Sequence, residues 1–475
     1  MLRSCCAALA LSGLSSVALA QQPAPAAPVA PAPAAQPAAT PAVPAPAAPT
    51  TPPPPPAPLE PVPTGAPDDV VPPPPPEEGK APDPEVDPHP VESVRYVPRK
   101  GFEFRTEDEQ FSLSIGAWFQ TRFQWRSIED RPDRYDIDFN RARLVFQGYV
   151  WGEDIRYMVE LGLSPRELER VPLVVGGMPT TRDALRQGPL LNTFVELRQL
   201  DDLRLRVGQF KVPYTRQQVA SDTELAATDR TPVDAVFSFG RDIGFDLYSD
   251  DLLELDLLRY HLGIYGGEGR NTWEGTIGGG DSGFLYNARV ELLPFGVFEE
   301  YTEVDFERSE TPRLSIGVAY VLLQADAASP YAEQQVGELF PTASPVVDFN
   351  SHNFTADFML LWYGLSLQSA FVMREVTGAP GPKNGYGFMV EASYLLPMAP
   401  IGPGAAFSMV RPFTGDEATP ADEQSTLAED NELAFFASYF FHRHLLKRQL
   451  EYALRWSDEI GNAVDRVRVQ LQVAL

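Results

Sequence analysis

The stretch FSLSIGAWFQTRFQWR, Phe111 to Arg126, alternates with a period of two. Phe111, Leu113, Ile115, Ala117, Phe119, Phe123 and Trp125 fall on one side, with Thr121 the single polar lapse. Ser112, Ser114, Gly116, Trp118, Gln120, Arg122, Gln124 and Arg126 fall on the other. Successive side chains of a strand point to opposite faces, so the spacing predicts one long strand with an oily face and a polar, increasingly basic face.

The same alternation recurs to the end of the chain. Ala142, Leu144, Phe146 and Val150 oppose Arg141, Arg143 and Gln147; Val467, Val469, Leu471, Val473 and Leu475 oppose Arg466, Arg468, Gln470 and Gln472. About sixteen such segments are expected, near 111–126, 139–151, 155–163, 192–200, 203–212, 236–249, 253–265, 283–293, 312–324, 350–361, 363–376, 384–395, 403–412, 430–442, 446–457 and 462–475. Short turns, such as Asp201-Asp202 and His442 to His444, tend to alternate with long polar loops at 127–138, 164–191, 213–235, 266–282, 325–349 and 413–429. That is the rhythm of an outer-membrane barrel; only 294–311 breaks it, being too long for a simple turn. A soluble two-sheet sandwich also alternates, but its strands average about five or six residues. Nor does it place aromatic residues at the ends of the oily face, as Trp125, Tyr157, Trp362, Tyr394 and Trp456 are placed here. In hydrocarbon every backbone group must be paired within the protein, and for strands only closure does that. The expected fold is all-β, a transmembrane antiparallel β-barrel of about sixteen strands whose oily face meets lipid and whose polar face lines a lumen.

Three segments follow from composition. MLRSCCAALALSGLSSVALA (1–20) has the basic start, apolar run and small-residue end of an export signal. It contains Cys5 and Cys6, the only cysteines, so the remainder has no disulfide framework and no thiolate chemistry. Residues 21–100 hold 29 of the 48 prolines, mostly in Pro-Ala runs, and are expected to be a disordered or polyproline tether. Residues 101–475 are the expected barrel. After the signal no run is long and apolar enough for a membrane helix. A net charge of −27 excludes nucleic acid as the partner implied by overall charge.

The segments NRARLVFQGYVWGEDIRYMVEL (140–161), LRLRVGQFKVPYTRQQ (203–218) and FGRDIGFDLYSD (239–250) resemble the phosphate-selective porin O and P family, with GQFKVPY (Gly208 to Tyr214) the most specific. The resemblance runs from about residue 104 to 475. It implies a 16-stranded barrel in the outer membrane of a Gram-negative cell, usually trimeric, conducting anions with a preference for phosphate through a basic lumen. Tyr214 stands where the family has Phe, and the chain ends in Leu475 rather than an aromatic residue.

The candidate anion-binding, pore-lining residues are Arg122, Arg126, Arg141, Arg143, Arg156, Arg198, Arg204 and Arg206, because guanidinium groups fit phosphate oxygens in pairs and a narrow pore strengthens each contact. Lys211 has the opposite parity to Arg204 and Arg206 and joins them only if a bulge at Gly208 shifts the register. Loop 213–235, with Arg216, Arg230, Asp222, Glu224, Asp229 and Asp234, is the candidate constriction. The alternative for the arginines is pairing with acids such as Glu160, Glu196 and Glu291 to brace the barrel. The expected barrel carries 33 basic and 56 acidic residues, so any anion preference is local. Five scattered histidines give no catalytic or metal set, the Gly-rich 266–283 lacks a phosphate-cradle lysine, and no cofactor is implied. The function expected is passive diffusion of phosphate or related small anions. The alternatives are a non-selective general porin, or an anchor whose Pro-rich tether spans the periplasm to a cell-wall partner.

Overall fold

The computed structural model describes residues 91–475, apart from 130, 169, 176–177, 186–187, 272–282, 299–300, 327–328, 330, 337–347, 415–423 and 458–462. The expected export signal, the tether up to residue 90 and most of the Gly-rich loop lie outside the described residues. A first hairpin, β1 (Val91–Val97) and β2 (Gly101–Thr106), begins ten residues before the expected barrel boundary. Then come β3 (Phe111–Ile128), β4 (Arg134–Val150), β5 (Ile155–Gly162), a separate small hairpin β6 (Arg170–Val175) and β7 (Met178–Leu185), β8 (Leu190–Leu197), β9 (Arg204–Lys211), β10 (Arg241–Ser249), β11 (Leu258–Tyr265) and β12 (Leu285–Leu292). The second half runs β13 (Arg313–Asp326), β14 (Asp348–Trp362), β15 (Leu365–Thr377), β16 (Gly385–Tyr394), β17 (Ile401–Pro412), β18 (Asp430–His442), β19 (Leu446–Trp456) and β20 (Val464–Ala474).

Strands β3 to β5 and β8 to β20 pair antiparallel in chain order, and β20 returns to β3 from Val464↔Ile128 to Ala474↔Trp118. The sheet is therefore a closed barrel of sixteen strands. Below the end of β20, β2 takes over its place beside β3 through Arg105↔Ser112 to Phe102↔Ile115. The opening stretch has the parity read from its sequence: Ser112 to Gln124 on the even positions are buried, while Phe119 is 40% exposed on the outer wall. Opposite Gln120 and Thr121 the ladder slips by one residue, from Arg141 to Phe139. Asn140 is the extra residue, and both Asn140 and Arg141 donate inward to Gln120 Oε1, at 3.2 and 3.0 Å.

Several boundaries differ from expectation for local reasons. Tyr135, Ile137 and Phe139 continue the alternation of β4 outward, so the expected loop 127–138 shrinks to a connection of a few residues at the tip of a long hairpin. The expected strand 236–249 starts only at Arg241, because Thr231-Pro232 opens a short helix, α2 (Pro232–Phe237), with proline at its first position. Another helical turn, α1 (Arg216–Val219), is capped by Thr215, whose hydroxyl accepts from Gln218 N at 3.1 Å. At the opposite end, Tyr363 and Gly364, with φ of 49° and 88°, make the two-residue turn that lets β14 fold directly back as β15.

The lumen is filled from both ends. The β9–β10 loop, with α1 and α2, folds inside the barrel, and Val233 and Phe237 of α2 join a buried cluster with inward Val321, Val372, Met389 and Val410. Gly387 makes room for that packing: a Cβ there would lie 2.9 Å from the Phe237 ring and 3.0 Å from Val233. The inward face expected to be hydrophilic throughout is thus apolar on part of β13 to β17, because there it meets a loop instead of water. From the turn end, the long β12–β13 connection also bends inward, and Val304 and Phe306 pack against Ala226, Ala227, Ala406, Ala434, Phe436 and Phe440. That is why this segment departs from the short-turn rhythm.

Replacing Phe119 with Arg puts a charge on the lipid-facing wall in the middle of a strand. Folded-state stability measured in lipid vesicles falls by about 2 to 4 kcal/mol if the position lies at the bilayer midplane, whereas Thr121→Ser, on the same face, changes it little.

Candidate functional site

A loop carried into a barrel brings buried backbone carbonyls with it, and each needs a donor. The inward side chains of β3 and β18 to β20 supply them. Gln120 donates to Asp222 O (3.2 Å), Gln472 to Thr223 O (2.9 Å), Lys447 to Leu225 O (2.6 Å), Gln449 to Ala226 O and Ala227 O (3.0 and 2.7 Å) and Arg122 to Thr228 O (2.7 Å). On the far side Arg289 reaches Tyr214 O at 2.8 Å. Glu451 accepts from both the amide and the hydroxyl of Thr228, at 3.2 and 2.6 Å.

Two loop carboxylates complete the attachment. Asp222 pairs with Arg143 at 2.7 Å, with Arg141 at 3.6 Å, and with Arg230 of its own loop. Asp229 pairs with Arg141 at 2.9 Å and Arg122 at 3.1 Å. Burial raises the affinity of Asp222 for a proton, but Arg230, Arg141 and Arg143 outweigh it and hold the carboxyl well below its usual range. Asp229 is lowered in the same way, burial being overcome by Arg141 and Arg122. A carboxylate with a depressed pKa contributes its stability above the ordinary carboxylate range and loses it only in stronger acid, so this clasp stays charged at all ordinary pH values.

The ten residues singled out in the sequence therefore divide. Arg122, Arg141 and Arg143 point inward as their parity requires, but they fasten the loop; Arg143 also meets Glu160 at 3.0 Å and Glu167. Arg156 stays beside Glu153 at the turn end, while Arg198 and Arg204 share Asp250, also at that end. Arg206 pairs with Glu196 at 3.0 Å among the rings of Phe194, Phe210 and Tyr248. Arg204 and Arg206 are thus held by different acids. Arg216 is buried over the Tyr301 ring, 4.9 Å from its centre, with two guanidinium nitrogens lacking hydrogen bonds. Lys211 does join the lumen, but without the expected register shift: both β9 ladders run unbroken through Gly208, which has φ 133°. Lys211 donates to Ala220 O at 2.8 Å. Any side chain at Gly208 would drive its Cβ to 2.2 Å from Thr193 O.

Open space remains on either side of the loop. A cavity of about 390 Å³ reaches from the turn end to the loop and is lined by Lys211, Arg206 and Arg241 along with Glu160 and Asp222. Arg241, absent from the sequence-derived set, bonds Asn192 at 2.9 Å. At the loop end a cavity of about 560 Å³ is lined by Arg126, Arg131, Arg134, Arg166, Arg455, Arg466 and Arg468 against a single acid, Asp133. The guanidinium groups of Arg126, Arg131 and Arg134 make no hydrogen bond or ion pair to a described residue. Arg455, Arg466 and Arg468 extend from this vestibule into a further cavity of about 360 Å³ beside Asp229 and Arg230. Of the vestibule set only Arg126 was singled out. Arg466 and Arg468 were visible as the polar face of the last strand, but the register in which β20 closes onto β3, which decides what they meet, is not written in one sequence.

A family model described as phosphate-selective porin O and P matches residues 117–398. No curated protein matches the chain. Among solved structures, an anion-selective porin from Comamonas acidovorans is similar at TM-score 0.49 and 11% identity, over 77% of this chain and 100% of that one. The trimer form of in-vitro folded OmpT of Vibrio cholerae is similar at TM-score 0.46 and 9% identity, over 77% and 99%. OprB of Pseudomonas putida, in a high-pH structure, is similar at TM-score 0.46 and 11% identity, over 78% and 95%.

Asp222→Ala leaves Arg143, Arg141 and Arg230 without a shared partner. The loop then comes loose: single-channel recordings become noisier with a larger mean conductance, and limited proteolysis cuts within 213–235. Asp222→Glu retains most of the parent behaviour.

Proposed function

The chain belongs to the phosphate-selective porin O and P family, and we propose that it lets phosphate or related small anions diffuse passively across the outer membrane along an arginine-lined path. The observation that carries this reading is the vestibule, lined by seven arginines and one acid, where Arg166, Arg455, Arg466 and Arg468 pair with acids behind the lining while Arg126, Arg131 and Arg134 pair with none among the described residues. The chain as a whole is strongly acidic, so attraction of anions has to come from a local field, and a cleft with low-dielectric walls focuses one. Three unpaired guanidinium groups at the mouth are free to exchange water for phosphate oxygens and let go again, which conduction requires.

On this reading Arg126, Arg131 and Arg134 capture the anion, and Arg466 and Arg468, each already sharing a carboxylate, hand it on with weaker hold. Arg122, Arg141 and Arg143 set the width by fixing the loop. Lys211 and Arg206 line the exit, joined by Arg241, while Arg156, Arg198, Arg204 and Arg216 brace the wall and the loop. The long-loop end faces outward, and the turn end and the Pro-rich segment before residue 91 face the periplasm. Three copies assemble through their oily walls.

The test is planar-bilayer recording of Arg126→Gln, Arg131→Gln and Arg134→Gln combined. The expected result is an open channel whose reversal potential in a salt gradient moves toward cations and whose chloride current is blocked several-fold less by phosphate. An unchanged reversal potential and block would favour a general porin. No channel in the parent chain would favour the anchor.

A further inference from the structure

The hairpin β1–β2 brings to the turn-end mouth a segment that the sixteen barrel strands do not supply. β2 is paired with β3 from Arg105↔Ser112 to Phe102↔Ile115, and buried Glu103 ties the hairpin together by meeting Arg95 at 2.6 Å and Arg105 at 3.8 Å. The turn between the two strands closes with Lys100 N donating to Val97 O at 3.0 Å. Gly101, with φ 84°, lets this turn press against β3, since a Cβ there would lie 2.1 Å from Ile115 O. Arg99 stands at the tip with φ 71°, a left-handed conformation uncommon for a residue other than glycine.

From that tip Arg99 reaches the constriction loop. Its Nη2 lies 3.2 Å from Glu224 Oε1, and both residues line the cavity of about 390 Å³ beneath the loop. The loop backbone is secured here by other contacts: Thr223 O accepts from Gln472 at 2.9 Å, Glu224 O from Glu303 N at 3.2 Å and Leu225 O from Lys447 at 2.6 Å. The Arg99 side chain is 40% exposed, and an ion pair open to water adds little stability. Its effect is on the field in the cavity. Deeper inside, Glu160 and Asp222 are both met by Arg143 of the wall, at 3.0 and 2.7 Å. For Glu224 the cation comes from the hairpin.

We propose that Arg99 is a specificity-determining residue of the anion path, delivered by the hairpin to screen Glu224 where the cavity opens at the turn end. An anion leaving past the loop then meets a neutral pair instead of a carboxylate, and between low-dielectric walls one such charge is felt along the passage. The hairpin is on this account a working part of the channel. The inference rests on the reading of this cavity as the exit for anions, but the screening itself is measurable without current.

Arg99→Gln, Arg99→Lys, Glu224→Gln and the double variant Arg99→Gln with Glu224→Gln are compared with the parent chain in two ways. Planar-bilayer recording gives the reversal potential in a potassium chloride gradient. In detergent, Ser221→Cys, an exposed loop position lining the same cavity, is added to each and labelled with an anionic and a cationic methanethiosulfonate. Cys5 and Cys6 are the only native cysteines, so the chain without the added thiol is the blank. Arg99→Gln is expected to move the reversal potential toward cations and to lower the ratio of anionic to cationic labelling roughly threefold. Removing the Glu224 charge as well restores both readings, and Arg99→Lys leaves both near the parent. A merely structural role for Arg99 would not be repaired by Glu224→Gln. The inference is therefore overturned if the double variant stays as cation-shifted as Arg99→Gln, or if Arg99→Gln keeps the parent's anion preference; heat-modifiable migration checks that each variant is folded. If labelling follows the expected order while the parent shows no anion preference or no channel, the screening stands and the anion-channel reading falls.

Discussion

Everything inside this barrel depends on the cost of bringing a loop's backbone into a closed wall. A polypeptide segment packed in the lumen loses water from its carbonyls and amides, and an unpaired buried polar group costs about 1 to 3 kcal/mol. Residues 222–228 meet that demand almost carbonyl by carbonyl, with Gln120, Gln472, Lys447, Gln449 and Arg122 as donors. The lumen face is polar because it has to be complementary to a backbone. Much of what reads as a water-filled, ion-lining surface is the socket of the loop.

That requirement sorts the cations. Arg143 meets three carboxylates, and Arg122 is fully buried among loop and wall partners. Such groups hold geometry; an anion competing for them would have to break pairs already formed in a dry site. Arg126, Arg131 and Arg134 lie around the tip of the β3–β4 hairpin and line the vestibule. Basic residues without partners among the described residues stand at the mouth, and those with several carboxylates stand where the loop is fastened.

The aperture is also asymmetric. One side of the lumen is closed by apolar contacts, Val233 and Phe237 on Val321, Val372, Met389 and Val410 near the loop end, and Val304 and Phe306 among alanines and phenylalanines near the turn end. The other side, from β3 to β10, keeps a polar cavity beneath the loop. The loop and the β12–β13 connection meet at Glu224, Ala226 and Glu303 through two hydrogen bonds.

Period-two alternation, read from Phe111 onward, determined the barrel, its strand number and which face of β3 meets lipid, because the parity of a strand is a local property of the chain. It also separated the long loops, 213–235 among them, from the short turns and marked 294–311 as unlike a turn. What it could not determine was the fate of each inward side chain, since that is set by neighbours hundreds of residues away. Arg122 looks no different in sequence from Arg126, yet one is clasped by Asp229 and Gln470 and the other is free. Lys211 has the wrong parity for the lumen and enters it through a single positive-φ glycine instead of a register slip. The apolar inward residues of β13 to β17 have a reason only once α2 lies upon them. The chain's local pattern sets the wall; the register in which β20 closes onto β3, and the loop folded within, decide which charges meet and which remain available.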